Sequence, residues 1–154
     1  MPWIEVDKKS RHLILYGPEG EILFHCPVAL GKCPTGHKRA EGDGRTPEGE
    51  YCVCTRNPNS KYHLSLGLSY PNAADAREAF SRGQIAQDVL DAILSAQEKG
   101  VRPPWDTPLG GFIMIHGGGA QQDWTAGCIA LSDADMDRLW ALCPLGTRVV
   151  IRGA

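Results

Sequence analysis

Strict alternation between large apolar and small or polar side chains is the feature that most limits how this 154-residue chain folds. Residues 62–70 read YHLSLGLSY, in which Tyr or Leu occupies every second position and His, Ser or Gly lies between them. Residues 21–30 show the same period from Ile22 through Leu30. A period of two places successive side chains on opposite faces of a β-strand. The chain is therefore predicted to be mainly β.

Other strands and a helical insertion follow from the same reasoning. Residues 72–100 change to a helical pattern, with Asn72 as a candidate N-cap and Gly83 and Gly100 as stops. This segment predicts two helices inserted into a β protein. Short apolar runs with Gly- and Pro-rich loops between several of them predict further strands at residues 11–16, 50–56, 112–116 and 146–152.

A third, short helix is predicted after Ser132, which has Asp135 at the spacing of a capping box. This helix stops at Pro144. The sequence has no internal repeat and no low-complexity tract, and its length suits one hydrophobic core. Residues 1–154 are therefore predicted to form a single domain.

The charge and hydropathy of the chain exclude several classes of function. A net charge of −2 without a dense Lys/Arg block argues against a nucleic-acid-binding protein. No apolar run approaches the ~18 residues that a membrane span needs. The first residues, MPWIEVDKK, lack the features of a secretory signal. A cytoplasmic protein, a trimmed export signal and another export route all remain open.

The six cysteines do not form a recognisable metal or disulfide pattern. A chain of this length needs no disulfides to fold. Cys52 and Cys54 lie two apart on one face of a predicted strand, which is poor spacing for zinc. We interpret the cysteines other than Cys128 as core or surface thiols and predict neither metal nor cofactor. A redox or metal protein built on Cys26, Cys33, Cys52 and Cys54 is the alternative.

His116 and Cys128 are the candidates for chemistry. His116 ends the predicted strand 112–116 and precedes three glycines, while Cys128 lies between Gly127 and an apolar residue. Strand ends that open into glycine loops combine a rigid scaffold with access for a substrate. A histidine next to a cysteine favours the thiolate, which attacks carbonyl groups. The alternative is a buried cysteine and a loop histidine with no common purpose.

Such a pair needs two supporting elements. A third group has to orient the imidazole, and either Asp123 or a backbone carbonyl such as that of Gly117 would serve. We favour the carbonyl, because Asp123 lies in the middle of a loop. Preformed N–H donors also have to stabilise the oxyanion, and the candidates are the N–H of Cys128 and those of nearby glycines.

Three segments together resemble the L,D-transpeptidase (YkuD-type) catalytic domain family. IHGGGAQQDWTAGCIALS (115–132) is similar to the family's active-site signature, and GDGRTPEGEY (42–51) and SLGLSYPN (65–72) resemble upstream segments. LGTRVVI (145–151) resembles the closing strand. The resemblance implies a β-sandwich or open barrel and location in the cell envelope. It also implies acyl transfer from a peptidoglycan stem peptide to an amine, through a thioester and without a cofactor.

Carried over by position, the resemblance implies specific roles. Cys128 corresponds to the nucleophile, His116 to the general base and Gly117 to the residue whose carbonyl orients the imidazole. Thr125 and Gly127 correspond to the segment on the oxyanion side.

The chain also departs from the family pattern. Many members have His where this chain has Ala126, and Arg or Asn where it has Ala130. The loop from His116 to Cys128 is also shorter than in familiar members. These departures leave the acceptor open: water would make an L,D-carboxypeptidase, and some relatives are amidases that release a peptidoglycan-attached protein. A non-catalytic peptidoglycan-binding module is a further alternative.

Three more residues are candidates for substrate binding. Arg45 follows a glycine and would bind a carboxylate with its planar guanidinium, unless it is a solvated loop arginine. His63 lies on the polar face of its strand and would line the groove, unless that face is a solvated sheet surface. Trp124 precedes the Thr125–Cys128 segment and either forms a wall of the site or packs beneath it.

Overall fold

The computed structural model describes residues 1–153, which fold into eight strands and three helices. The strands are β1 (Trp3–Asp7), β2 (His12–Tyr16), β3 (Ile22–Pro27), β4 (Gly49–Ser60), β5 (His63–Leu68), β6 (Met114–His116), β7 (Ile129–Ala130) and β8 (Arg148–Arg152). The helices are α1 (Ala73–Ser81), α2 (Gln87–Lys99) and α3 (Asp133–Leu142).

All eight strands belong to one curled sheet in the order β3-β2-β1-β8-β4-β5-β6-β7. Neighbours are antiparallel except for β1 with β8 and β6 with β7, which are parallel. The curl brings the two ends of the sheet together, where Ala29 and Ala130 exchange two backbone hydrogen bonds of 2.9 Å. The result is an open half-barrel, which confirms the prediction of a mainly β, open-barrel fold.

The core lies inside the curl and is built from alternate strand residues. In β1, Ile4 and Val6 are fully buried, and in β2, Leu13 and Leu15 are fully buried. β1 was not among the predicted strands, although its burial alternates just as in β2. It lies between β2 and β8, so it is a central strand of the sheet.

The predicted helices are present, with their predicted caps. The Asn72 side chain accepts from the N–H of Asp75 at 2.9 Å, and the Asp75 side chain accepts from the N–H of Asn72 at 3.0 Å. Gly100 ends α2 in the left-handed conformation, with φ of 68°. Ser132 caps α3 by accepting from the N–H of Asp135 at 3.1 Å.

A buried lysine outside the predicted site fixes the long loop of residues 31–48. The Lys8 side chain is fully buried, and its ammonium donates to the carbonyls of Gly36 at 2.9 Å and Thr46 at 2.7 Å. It also pairs with Glu48 at 3.0 Å. Three partners satisfy the three N–H donors of this ammonium, as burial of a charge requires. The loop is thereby held against the turn that joins β1 to β2.

All six cysteines are free: Cys26 and Cys143 lie in the core, whereas Cys33 is exposed. Among residues 1–153, no group of three or more His, Cys, Asp or Glu side chains is arranged to hold a metal ion. None of the helices that the structure describes is long and apolar enough to cross a membrane.

Candidate active site

His116 is the last residue of β6 and is almost fully buried, with 3% of its surface exposed. Its backbone pairs with Ser65 of β5 on one side and with Ala130 of β7 on the other. Gly118 and Gly119 then turn the chain away with φ values of 107° and 124°, which only glycine adopts without strain. The base candidate is therefore positioned by a paired strand, and its loop starts immediately after it.

The imidazole of His116 is oriented by the carbonyl of the next residue. Its Nδ1 lies 2.6 Å from the Gly117 oxygen, and a carbonyl only accepts, so Nδ1 carries the proton. Nε2 is then the unprotonated nitrogen of the neutral ring. Burial lowers the pKa of His116, and the bond to Gly117 opposes this in part. Asp123 lies elsewhere, bonded to Arg11 at 2.9 Å and to the N–H of Leu30 at 2.9 Å.

Cys128 directly precedes β7, and its thiol is held against the end of β6. Its Sγ donates to the Phe112 carbonyl at 3.3 Å and accepts from the N–H of Met114 at 3.4 Å. Within residues 1–153, no hydrogen bond joins Sγ to the His116 ring. Burial raises the pKa of Cys128, opposed by the Met114 N–H and the ammonium of Lys38. The thiol therefore rests in its neutral form.

Two cavities meet at Cys128. The larger, of about 480 Å³, is bordered by Cys128, His116, Tyr62, Trp124 and Thr125, among others. The smaller, of about 180 Å³, is bordered by Cys128 together with Lys38, Glu41, Phe112 and Ile113. Ala126 borders both cavities.

Thr125 and Gly127 shape the turn that presents Cys128. The Thr125 hydroxyl donates to the Cys128 carbonyl at 2.7 Å and accepts from the N–H of Gly127 at 3.1 Å. A Cβ at Gly127 would lie 2.7 Å from the Arg45 carbonyl oxygen, and φ is 142°, so only glycine fits. The Gly127 N–H is thus occupied. By contrast, the N–H of Cys128 takes part in none of the backbone hydrogen bonds of the described chain.

The structure does not bring Arg45 or His63 into either cavity at Cys128. The Arg45 guanidinium lies over Gly36 and its side chain is exposed, while its backbone packs against Gly127. His63 Nε2 lies 2.6 Å from an Asp137 carboxylate oxygen of α3, and this hydrogen bond raises the pKa of His63. These two side chains therefore lie near the site without bordering it.

Two aromatic rings enclose the His116 imidazole. Trp124 meets it edge-on with centroids 5.6 Å apart, and Tyr62 stacks on it at 4.7 Å and 22°. Trp124 thus forms a wall of the larger cavity. Sequence reasoning missed Tyr62, since the alternation assigned it to an apolar strand face. Only the pairing of Ser65 with His116, which no local pattern reveals, shows that Tyr62 lies beside the base.

Comparison with known proteins identifies the family and supports the fold. The family model for the L,D-transpeptidase catalytic domain (YkuD) matches residues 1–151. The fold is similar to that of Pgp2 of Campylobacter jejuni, a helical cell shape determining protein, with TM-score 0.67 and 22% identity over 99% of this chain and 48% of that chain. It is also similar to an L,D-transpeptidase of Xylanimonas cellulosilytica, with TM-score 0.56 and 18% identity over 97% and 59% of the two chains.

A third similar structure is Bd1075 of Bdellovibrio bacteriovorus, with TM-score 0.63 and 22% identity over 97% of this chain and 47% of that chain. The chain thus spans about half the length of the solved structures that it matches. A search of curated proteins gave no match. Since the family model covers nearly the whole sequence, this chain belongs to the L,D-transpeptidase (YkuD) catalytic domain family, whose chemistry is peptidoglycan transpeptidation.

Proposed function

We propose that this chain transfers the acyl group of a peptidoglycan stem peptide to an amine through a thioester on Cys128. The observation that carries the proposal is that Cys128 and His116 border one cavity, with the His116 Nδ1 fixed 2.6 Å from the Gly117 carbonyl. This arrangement leaves Nε2 unprotonated and available as the base. Membership of the family supports the substrate class, and that substrate makes the cell envelope the proposed location.

In the acylation step, the Cys128 thiol turns from the Phe112 carbonyl towards His116 Nε2, which takes its proton. The thiolate attacks the peptide carbonyl carbon and forms a C–S bond, and the carbonyl oxygen becomes an oxyanion. The N–H of Cys128 is a free donor for this oxyanion. The C–N bond then breaks, the imidazolium gives its proton to the leaving amine, and the terminal D-amino acid departs.

The second step regenerates the enzyme. The acceptor amine attacks the thioester carbon while His116 takes a proton from it, the C–S bond breaks to release the thiolate, and the imidazolium returns that proton to the Cys128 sulfur. The acceptor therefore has to approach on the His116 side. Of the two cavities at Cys128, only the larger borders His116.

The size of that cavity admits an amine acceptor as well as water. Its volume of about 480 Å³ is many times the roughly 30 Å³ that a water molecule occupies. A peptide side chain therefore has room to reach the thioester. An L,D-carboxypeptidase or a peptidoglycan–protein amidase would use the same cysteine and histidine. Arg45 and His63 remain proposals for more distant substrate contacts, since both side chains are exposed beside the site.

A carbapenem tests the acylation step, because this β-lactam mimics the acyl donor. We expect intact mass spectrometry to show one adduct on the wild-type chain and none on Cys128→Ala. His116→Gln should slow adduct formation by at least ~100-fold, which is the usual contribution of a general base. Cys33→Ala is the matched control, since Cys33 is an exposed free cysteine, and it should keep the adduct.

Purified muropeptides then identify the acceptor. A cross-linked dimer identifies a transpeptidase, a tetrapeptide shortened to a tripeptide identifies a carboxypeptidase, and release of an attached protein fragment identifies an amidase. Binding to sacculi without turnover, together with an unmodified Cys128 under carbapenem, would instead identify a non-catalytic binding module and overturn the proposal.

A further inference from the structure

We propose that Tyr62 is a positioning residue for His116, and that its aromatic ring, rather than its hydroxyl, holds the imidazole in place. The catalytic consequence of this role rests on the proposed function, whereas the stacking of the two rings does not.

The proposal starts from three rings in mutual contact. Tyr62 lies nearly parallel to the His116 imidazole, with 4.7 Å between centroids and 22° between planes. Trp124 meets Tyr62 at 5.1 Å and 71°, and meets His116 at 5.6 Å and 67°. Offset-stacked and edge-to-face pairs at these distances are attractive. One face of the imidazole is therefore covered by Tyr62, and Trp124 packs edge-on against it.

The polar atoms of the same imidazole complete the enclosure. Nδ1 is bonded to the Gly117 carbonyl, so Nε2 is the one ring nitrogen left for a reaction partner. A ring that is fixed at Nδ1 alone still tilts about that bond, and a parallel stack removes this freedom. Tyr62 and Trp124 both border the cavity that contains Cys128, so the stack forms part of its wall.

The backbone ties Tyr62 to the residue that follows the base. The Tyr62 carbonyl accepts from the N–H of Gly117 at 3.0 Å, and the Tyr62 N–H donates to the Ser60 hydroxyl at 3.1 Å. The next residue, His63, has a φ of 75° and bonds to Asp137 of α3 at 2.6 Å. The tip of the β4–β5 hairpin is thus anchored to both the His116–Gly117 turn and α3. The same contacts give His63 a role in holding the hairpin.

The Tyr62 ring influences the pKa of His116 in two opposite ways. An aromatic face attracts an imidazolium and so favours protonation. The same ring excludes water from the imidazole, which disfavours the charged form. At His116 burial lowers the pKa by more than the bond to Gly117 raises it. Removing the ring therefore admits water to the imidazole and should raise the pKa of His116.

Nuclear magnetic resonance titration of His116 in the Cys128→Ala background tests the stacking without requiring activity. We expect Tyr62→Phe to leave the His116 titration within ~0.2 pH units of the parent, because the ring is kept. Tyr62→Ala should raise the titration midpoint of His116 by about half a pH unit or more. In the protein with Cys128 intact, carbapenem acylation should slow about tenfold in Tyr62→Ala and less than twofold in Tyr62→Phe.

Controls separate positioning from folding. Asn59→Ala changes an exposed, uncharged residue of the same hairpin and should leave the titration of His116 unaltered. If Tyr62→Ala does not fold, Tyr62→Leu removes the aromatic ring while keeping bulk, and the same upward shift is expected. The proposal is overturned if the titration midpoint of His116 is the same in Tyr62→Phe and in the variant without the ring. It is also overturned if both variants slow carbapenem acylation equally. A wild-type chain that no carbapenem acylates refutes the proposed function, and the titration still decides the role of Tyr62.

Discussion

At the scale of the residue, Phe112 sets the resting position of the nucleophile. It has a φ of 56° and 59% of its surface is exposed, an uncommon combination for a bulky residue. Its ring packs at 4.8 Å on Trp105, and its carbonyl accepts the Cys128 thiol at 3.3 Å. Strained residues of this kind cluster at functional sites. Here the left-handed turn directs a carbonyl to the thiol, and an acceptor stabilises the neutral form of that thiol.

The resting thiol predicts how Cys128 reacts with an alkylating agent. Burial raises the pKa of Cys128, and only the thiolate is nucleophilic, so alkylation by iodoacetamide should rise with pH through a midpoint above the ordinary ~8.5. Lys38→Met should move the midpoint further up, because the Lys38 ammonium favours the thiolate. Peptide-level mass spectrometry between pH 6 and about 10.5 measures both effects. The exposed Cys33 serves as an internal reference, and a midpoint at or below ~8.5 would contradict a neutral resting thiol.

At the scale of the element, one carboxylate attaches the helical insertion to the sheet. Asp75 of α1 is buried and accepts from the Tyr51 hydroxyl of β4 at 2.8 Å and from the His37 Nε2 at 2.7 Å. His37 Nδ1 in turn accepts from the N–H of Glu48 at 2.7 Å, so its proton lies on Nε2. The same carboxylate caps α1 through Asn72. The Asp75 carboxylate therefore joins α1, β4 and the 31–48 loop.

Removal of the Asp75 carboxylate should lower the free energy of unfolding. Asp75→Ala leaves the Tyr51 hydroxyl, the His37 Nε2–H and the Asn72 N–H without their acceptor, so we expect a loss of about 2–4 kcal/mol in the free energy of unfolding. Urea unfolding followed by circular dichroism measures the change. Glu78→Ala, one turn away on the same helix, is the matched control, because its exposed pairs with Arg82 and with Arg39 of the loop each contribute at most ~1 kcal/mol. Equal losses in the two variants would exclude the anchoring role.

At the scale of the whole molecule, the curl of the sheet assembles the site. Contact between Ala29 and Ala130 brings the segment after β3 to the strand that follows Cys128. Lys8 holds the 31–48 loop at the same end, and Gly42 and Gly44 of that loop border the larger cavity. The nucleophile thus faces residues that precede it by most of the chain length. Its geometry depends on the integrity of the entire core.

That core predicts loss of stability at alkaline pH. Burial raises the pKa of both Cys26 and Cys143 to about 12, whereas an unfolded chain has cysteine pKa values near ~8.5. An acid whose folded pKa is raised contributes stability that is complete below the unfolded pKa and is lost as the pH rises towards the folded value. Above pH ~8.5 the free energy of unfolding should fall by roughly 1.4 kcal/mol per pH unit for each cysteine, about 3 kcal/mol for the two.

Urea unfolding in the presence of a reductant, from pH 7 to about 10.5, tests this slope. Burial lowers the pKa of Lys8, so this group makes the free energy of unfolding rise with pH, opposite to the thiols. The contribution of this one group is smaller than that of the two thiols. Cys143→Ala should reduce the slope by roughly 1.4 kcal/mol per pH unit, while Cys33→Ala should leave it unaltered because Cys33 is exposed. A flat profile up to pH ~10 would show that the thiols do not set the alkaline limit.

The sequence alone was sufficient for the features that depend on near neighbours. Alternation predicted strands that correspond to β3 and β5, and capping residues predicted the starts of α1 and α3. Motif resemblance predicted the family, and it also named His116 and Cys128, which the structure places beside one cavity. Each of these inferences needs only residues that lie close together in the sequence, or a motif whose members keep a fixed order.

Only the tertiary structure decided what depends on distant pairing. Register and curl determine the central position of β1 and the stack of Tyr62 on His116. They also determine that the Cys128 thiol turns towards Phe112 and that Arg45 and His63 lie outside the cavities. Register is the sum of many weak contacts between segments far apart in the chain, and a shift of one residue would move every side chain to the opposite face. No local pattern encodes that sum, so the partners of the catalytic candidates are fixed only when the sheet curls.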